Sequence, residues 1–497
     1  MNLKRYLFAL LLFIGLLPIA MAQQTATDST IIYKVKQGEN LYRLSLKFNC
    51  SVQQIKDWNK LNNEDYVQAG QVLKIIVLHI PTVPSVNLSN TNIAVAKQKN
   101  DSVDLKIKHF IDSIKMANAM LPIDTTKSKS MLLKNNGEKE VDLAFEGTRI
   151  TERDEHYDST GKITLSGYVS AYYAYYTDSV GLGKYENFPT SAPISNAFSL
   201  NMLMISAKYS STKLRGTFTL HYGDIPSSAW SSQYNLIQEA NIGFKIVKGI
   251  WFDAGFFRTH LGVESIQPRE NITSSISAVT YYEPYYLSGA KLTFHLSSKF
   301  SVQVNAFNGF NTFIETNKTK AFGFSAVYDA TDKLSFNFNS LYCDESPDNQ
   351  LRKQDRLYNN FYFTYKSKRF DLAGEVNYGI QKNSLLSDST STADMFSTLL
   401  IARLRLNKKL SIYSRGEYFK DQNEILTGPV LNEFHKLVGL NLLGVTAGFE
   451  VKPIANSYLR FEWRQIQTQD EDEKVFYYNQ SYHNQRNEFI AALGFWF

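Results

Sequence analysis

Residues 161–497 alternate apolar and polar side chains with a period of two, and this constrains the fold more than any other feature of the chain. In the last segment Phe489, Ala491, Leu493, Phe495 and Phe497 share one face of an extended chain. Glu488, Ile490, Ala492, Gly494 and Trp496 share the other. Leu334 to Asn339 reads Leu-Ser-Phe-Asn-Phe-Asn, apolar on one side and polar on the other. Successive side chains of a strand point to opposite faces, so each such segment is a strand with one greasy and one wet face. A soluble sandwich gives the same local pattern, and the spacing between segments separates the two readings.

Sixteen segments fit the pattern, near 162–177, 196–210, 212–224, 234–248, 250–259, 284–297, 299–309, 320–330, 332–344, 355–367, 369–381, 395–407, 409–420, 435–452, 456–467 and 485–497. The gaps between them alternate short and long. Ser210-Ser211-Thr212, Lys248-Gly249, Thr331-Asp332, Lys366-Ser367-Lys368 and Asn407-Lys408-Lys409 are short, whereas 178–195, 260–283, 382–394, 421–434 and 468–484 are long. Short turns on one side and long loops on the other are expected of an antiparallel transmembrane β-barrel with both ends on the short-turn, periplasmic side. An even number of strands closes the sheet and leaves no edge, as a hydrocarbon surroundings demands. The fold class expected is therefore mainly β, a large barrel of about 16 strands over 161–497.

The start of the chain fits export. Lys4 and Arg5 precede the apolar run Tyr6 to Ala20, and Ala20-Met21-Ala22 is a small-residue cleavage site, so 1–22 reads as a signal peptide. No cysteine stands directly after the site, where a lipid anchor would need one. No other stretch approaches 18 uncharged apolar residues. Export together with a barrel places the protein in a bacterial outer membrane. The 53 Lys and Arg against 47 Asp and Glu leave a net charge of only +6, which gives no case for nucleic acid. The 33 Phe and 30 Tyr suit the aromatic girdles of a barrel. The two cysteines, Cys50 and Cys343, fall in different segments and read as separate small residues rather than a pair.

Residues 31–77 have a different pattern. A short strand at Tyr33 and Val35 meets a turn at Gln37-Gly38-Glu39-Asn40. Leu41, Leu44, Ser45 and Phe48 then recur at helical spacing. Val52, Ile55 and Trp58 mark a second helix with Ser51 as its N-cap, and Val72 to Ile76 closes as a strand. The order is βααβ. With Tyr33-x-Val35-x-x-Gly38-Glu39-x-Leu41, Trp58-Asn59-x-Leu61 and Gly70-Gln71-x-Leu73-x-Ile75, the segment resembles the LysM domain family. The family's common Asp-Thr after the glycine is Glu39-Asn40 here. The resemblance implies binding of N-acetylglucosamine-containing glycan, in this compartment peptidoglycan. It carries that role to Gly38, Glu39, Asn40 and Leu41 in one loop and to Leu61, Asn62, Asn63, Val67 and Gln68 in the other.

Residues 78–160 are polar and weakly patterned, and they read as a linker. Val103, Ile107, Phe110, Ile111 and Ile114 recur at helical spacing and give one short amphipathic helix. A flexible chain of about 80 residues has an average reach of roughly 50 Å.

Sixteen strands enclose enough space for an aqueous channel. The third long gap, Thr259 to Glu283, holds Glu264, Arg269 and Glu270 and corresponds by position to a loop that folds inward as a constriction. Strand parity picks out the inward charges. With Leu214, Phe218 and Leu220 facing lipid, Arg215 and His221 face in; with Leu400, Ala402 and Leu404 outward, Arg403 and Arg405 face in. The same parity turns Glu375, Arg415, Glu417, Arg460, Glu462 and Arg464 inward. A charge on the lipid face near the midplane costs roughly 2–4 kcal/mol, which enforces the assignment. The arginine excess predicts a mild preference for anions.

Leu165-Ser166-Gly167-Tyr168, Glu239-Ala240-Asn241 with Gly243-Phe244, Gly255-Phe256-Phe257 and the loop from Gly262 to Asn271 resemble outer-membrane β-barrel porins of the Bacteroidetes type. The ending Phe489, Phe495, Phe497 resembles the signal read by the barrel assembly machinery. The resemblance implies a porin for passive diffusion of small solutes or ions, in contact with outer-membrane lipid, with a homotrimer left open. Two other readings stand beside it. One is a structural tether between outer membrane and peptidoglycan with little transport. The other is an outer-membrane enzyme using His221-Tyr222-Gly223-Asp224 or His260. Serine hydrolysis needs a nucleophile, a base and an orienting group in mutual contact. No metal-ligand spacing, phosphate-binding glycine loop or Cys/His pair occurs, and no cofactor is expected.

Overall fold

A computed structural model describes residues 29–34, 52–61, 72–77 and 161–497, apart from 180, 182–184, 187, 189, 232–233, 316, 345, 347–351, 428–429, 435–436 and 471–473. The expected signal peptide, the linker with its helix, the first LysM helix and Cys50 lie outside the described residues. So do all the expected glycan contacts except Leu61. The chain divides into two compact units, 1–137 and 138–497, described separately below.

In the first unit β1 (Ser29–Lys34) pairs antiparallel with β2 (Val72–Val77), and α1 (Val52–Asn59) lies between them in sequence. Ile55, Leu73 and Ile75 are fully buried, so one face of α1 and alternate residues of β2 make the core. Asn59 joins the two elements. Its Nδ2 donates to the carbonyls of Ile55 (2.8 Å) and Lys74 (2.7 Å), and its Oδ1 accepts the Lys74 amide at 2.6 Å. Leu61 follows, half-buried, its amide bonded to the Lys56 carbonyl.

The second unit is a closed antiparallel barrel of sixteen strands. In chain order these are β3 (Lys162–Tyr176), β4 (Phe198–Ser210), β5 (Leu214–Tyr222), β6 (Ile237–Val247), β7 (Ile250–Arg258), β8 (Tyr286–His295), β9 (Phe300–Phe307) and β10 (Ala321–Asp329). Then come β11 (Leu334–Asp344), β12 (Asp355–Lys366), β13 (Phe370–Gln381), β14 (Ala393–Arg405), β15 (Leu410–Asp421), β18 (Leu440–Val451), β19 (Ser457–Thr468) and β22 (Gln485–Trp496). Two small hairpins outside the barrel, β16–β17 (Val430–Leu431, Leu437–Val438) and β20–β21 (Phe476–Tyr478, Ser481–His483), decorate long loops. Each expected strand is present within three residues of its expected bounds except 435–452, whose barrel strand begins only at Leu440 because Leu437–Val438 pairs in a loop hairpin instead. Among the described residues no helix is long and apolar enough to cross a membrane.

Alternation sets the two faces. Along β15, Ser411, Tyr413, Arg415, Glu417, Phe419 and Asp421 are buried inside, while Ile412, Ser414, Gly416 and Lys420 are exposed outside. The barrel closes between β22 and β3, and the last residue completes the seam: Phe497 and Gly167 exchange backbone hydrogen bonds at 3.0 and 3.1 Å.

Five of the seven short turns share one sequence device. Ser211-Thr212-Lys213-Leu214, Ser297-Ser298-Lys299-Phe300, Thr331-Asp332-Lys333-Leu334, Ser367-Lys368-Arg369-Phe370 and Asn407-Lys408-Lys409-Leu410 each begin with a residue whose side-chain oxygen accepts the amide three residues on, at 2.9–3.1 Å. Ser, Thr and Asn close turns this way because their short side chains reach the local backbone. In a sixth turn Gly249 holds φ 78°, a left-handed conformation, and a Cβ there would meet the His295 carbonyl at 3.0 Å.

Candidate functional site

The lumen is occupied by the chain between β7 and β8. This segment, 259–285, carries a 3-10 turn at Pro268–Glu270 and a short helix, α2, at Ala278–Tyr282. From Leu261 to Thr280 every residue except Arg269 is buried. On β7 Gly255 holds φ 133°, and a Cβ there would lie 2.3 Å from the Ala240 carbonyl, so only glycine fits this bend beside the loop.

Inward side chains of the barrel hold the loop along its length. Arg415 of β15 reaches Glu264 Oε1 at 2.7 Å, the Ser275 carbonyl at 2.8 Å and Ser275 Oγ at 3.0 Å, and it also donates to Glu417 at 3.3 Å. Arg460 of β19 donates to the carbonyls of Pro268 (2.9 Å), Asn271 (2.7 Å) and Thr273 (3.1 Å), while its Nε pairs with Glu450 at 2.8 Å.

Three wall glutamates hold backbone amides of the loop. Glu375 accepts Val263 N–H at 2.5 Å and Glu417 accepts Ala278 N–H at 2.7 Å. Glu462 accepts Ser274 and Ser275 N–H at 2.6 and 2.8 Å. On the far side, Gln267 donates to Gln238 of β6 at 2.7 Å and Arg258 of β7 pairs with Glu270 at 2.6 Å. The loop thus crosses the lumen and is fastened at both sides.

Burial raises the carboxyl of Glu283 well above the usual carboxylate range, with the charge of Glu375 adding to it. Tyr358 donates to Glu283 at 2.6 Å. Glu270 moves the other way. Burial would raise its carboxyl, but Arg258 and Arg269 outweigh that and hold it below the usual range.

The inward charges sit mostly in pairs rather than facing one another across an open pore. Arg215 grips Asp253 through two hydrogen bonds of 2.7 and 2.5 Å and lies over the Trp251 ring. Arg403 and Arg405 share Asp371, the latter at 2.7 and 3.0 Å. Arg464 bonds Glu417 at 2.8 Å and approaches Glu488 at 3.4 Å. Arg486, next in line, lies 3.4 Å from Glu488 and 3.3 Å from Asp178. His221 meets Gln238 at 3.3 Å and packs edge-on against Trp230. His260 approaches the Ser340 carbonyl at 3.3 Å. Neither imidazole meets a serine hydroxyl in the described hydrogen bonds.

Arg269 and Lys291 form no direct ion pair among those described, although Glu270 acts on Arg269 and Glu239 and Asp253 act on Lys291. Arg269 Nε donates to Gln267 at 3.0 Å and its guanidinium lies 5.3 Å from the Tyr168 ring. Lys291, inward on β8, sits over Phe257 at 4.1 Å. Both are only half-buried.

The structure turns the wall arginines and glutamates to the inner face of the barrel, together with their partners Asp371, Glu450, Arg486 and Glu488, which share that strand parity. The capture of loop amides by Glu375, Glu417 and Glu462 leaves no sequence signal, because a backbone N–H has none. Among the described residues no cluster of three metal-ligating side chains occurs.

A closed sixteen-stranded barrel whose third long loop folds inside defines an outer-membrane channel protein of the porin class. Residues 162–497, two-thirds of the chain, match the model of the family described as "Putative beta-barrel porin-2, OmpL-like", and the chain belongs to that family. Residues 33–75 match the LysM domain, so the chain carries one. The match does not extend to a Bacteroidetes-type subdivision. No curated protein matches the chain.

Solved structures similar to it include OmpF of Salmonella typhi in complex with daunomycin, at 13% identity and TM-score 0.46 over 69% of this chain and 99% of that one. An anion-selective porin from Comamonas acidovorans is similar at 9% identity and TM-score 0.44, over 68% and 100%. The outer membrane channel DcaP of Acinetobacter baumannii is similar at 10% identity and TM-score 0.46, over 67% and 97%.

Proposed function

We propose that the chain is a narrow, water-filled outer-membrane pore for passive diffusion of small solutes or ions, tethered to peptidoglycan by its LysM domain. The observation that carries this reading is the fastening of 259–285 to the inner wall by Arg415, Arg460 and Glu462. A loop held at many points narrows a pore to a fixed width instead of flapping over it. The wall arginines are matched by carboxylates, so the half-buried Arg269 and Lys291 are the points at which the lumen would draw small anions, and the preference is a mild one.

Glycan contact is assigned to the two loops named from the LysM resemblance. The LysM unit would then lie in the periplasm. Assembly through the barrel assembly machinery and a homotrimeric state belong to the same proposal.

Single-channel conductance of the refolded full chain tests the pore, and retention on purified peptidoglycan with and without residues 31–77 tests the tether. A pure tether is the second reading, favoured by how completely the loop is buried. It would show retention on peptidoglycan and no current.

A further inference from the structure

We propose that the short-turn rim of the barrel is a cationic ring that binds the phosphate headgroups of anionic phospholipids. All seven short turns carry an exposed or half-buried Lys or Arg. Five of these are the third residue of the shared turn device, Lys213, Lys299, Lys333, Arg369 and Lys409, and the other two turns supply Lys248 and Lys452. Asp332 is the one acid among these turn residues. The five exposed third-position cations enter no ion pair among those described. The long-loop side also carries cations, but Lys320, Lys353, Lys382 and Lys474 pair there with Glu315, Asp344, Asp355 and Glu433.

Three features favour lipid over a soluble anionic partner. The cations encircle the barrel rather than clustering on one side, as a protein footprint would require. Each third-position cation is also followed at once by an apolar residue on the lipid-facing parity of its strand, Leu214, Phe300, Leu334, Phe370 or Leu410. Such a pair sits naturally at the membrane surface, the apolar residue in the acyl region and the cation snorkelling to the headgroups. Spacing is the third feature. Strands lie about 4.8 Å apart, so successive turns are separated by about 10 Å, close to a Debye length in ~0.1 M salt. Neighbouring cations are then screened from one another while each meets its own headgroup phosphate, and lysine suits such single-point contacts. In the five turns that share the device the side-chain oxygen fixes the backbone, so each holds its cation at the same turn position.

The proposal needs only that the barrel spans a bilayer and is independent of conduction. The test reconstitutes the full chain into phosphatidylcholine doped with phosphatidylglycerol and measures, by mass spectrometry, which lipid stays with the protein on extraction. A variant carrying Lys213→Gln, Lys299→Gln, Lys333→Gln, Arg369→Gln and Lys409→Gln is compared, with folding checked by heat-shifted gel mobility. The wild type should retain phosphatidylglycerol several-fold over its bulk share, and the variant close to that share. Raised salt should lower the wild-type enrichment, a reading that does not rely on the variant folding. Equal retention of both lipids by the wild type, enrichment that ignores salt, or enrichment that survives in the folded variant would each overturn the proposal. Loss of peptidoglycan retention in the variant without any lipid enrichment would overturn it too, by assigning the ring to the cell wall.

Discussion

Nη1 of Arg415 lies 2.7 Å from Oε1 of Glu264, joining the middle of β15 to a loop 151 residues earlier in the chain. Glu264 also accepts from Ser277 N–H (2.7 Å) and Thr280 Oγ1 (3.1 Å), so one carboxylate orders the loop and anchors it to the wall. Both partners of the ion pair are almost fully buried. Removing one partner of a buried pair strands the other, at a cost of about 3–5 kcal/mol. Arg415→Met should lower the urea midpoint of the refolded barrel markedly and make single-channel current noisier and larger. Unchanged unfolding would show that the pair does not hold the loop.

Glu283 gives a pH dependence with a definite sign. Its carboxyl is raised in the folded protein, so its contribution to stability is full below the ordinary carboxylate range and is lost as pH rises through the raised value. Wild-type stability should therefore fall more between weakly acid and alkaline pH than that of Glu283→Gln, which keeps a partner for the Tyr358 hydroxyl. Parallel pH profiles of the two in urea unfolding would contradict this.

Selectivity should follow the half-buried cations rather than the paired ones. Arg269→Gln and Lys291→Gln should each move the reversal potential in a salt gradient toward cations, and together by more than either alone. Arg405→Gln, a change at a guanidinium already paired with Asp371, should leave it nearly unmoved. A larger shift from Arg405→Gln would return the field to the arginine wall.

At the barrel seam, the Phe497 ring covers Gly167, where a Cβ would lie 2.5 Å from ring carbons. Gly167→Val should displace the terminal ring and lower stability by about 1–3 kcal/mol. Melting of the heat-modifiable band on gels measures it, and a full-strength seam in the variant would show that the ring does not need the space.

The sequence carried the strands because each must satisfy two solvents at once. Leu334 to Asn339 cannot alternate Leu, Phe and Phe with Ser, Asn and Asn unless one face meets lipid and the other the lumen. The same parity placed Arg415, Glu417, Arg460 and Glu462 inside. Their effect on the pore was not legible. The arginine excess predicts a mild anion preference, yet Arg464 sits on Glu417 and Arg403 on Asp371, and such pairing depends on strand register, which parity alone does not set. The fastening of 259–285 was hidden for a further reason: Glu462 binds the backbone amides of Ser274 and Ser275, groups that every residue except proline possesses. The turn device was legible in retrospect, since Ser297-Ser298-Lys299-Phe300 and Thr331-Asp332-Lys333-Leu334 repeat it openly.

The most direct test of the account is single-channel recording of the folded full chain in a planar bilayer. The account predicts discrete, ohmic steps of small conductance with an anion-leaning reversal potential, and larger steps once Arg415→Met releases the loop. Absence of current from a verified folded barrel, in the wild type and in that variant alike, would contradict it and leave the barrel an anchor for the LysM domain.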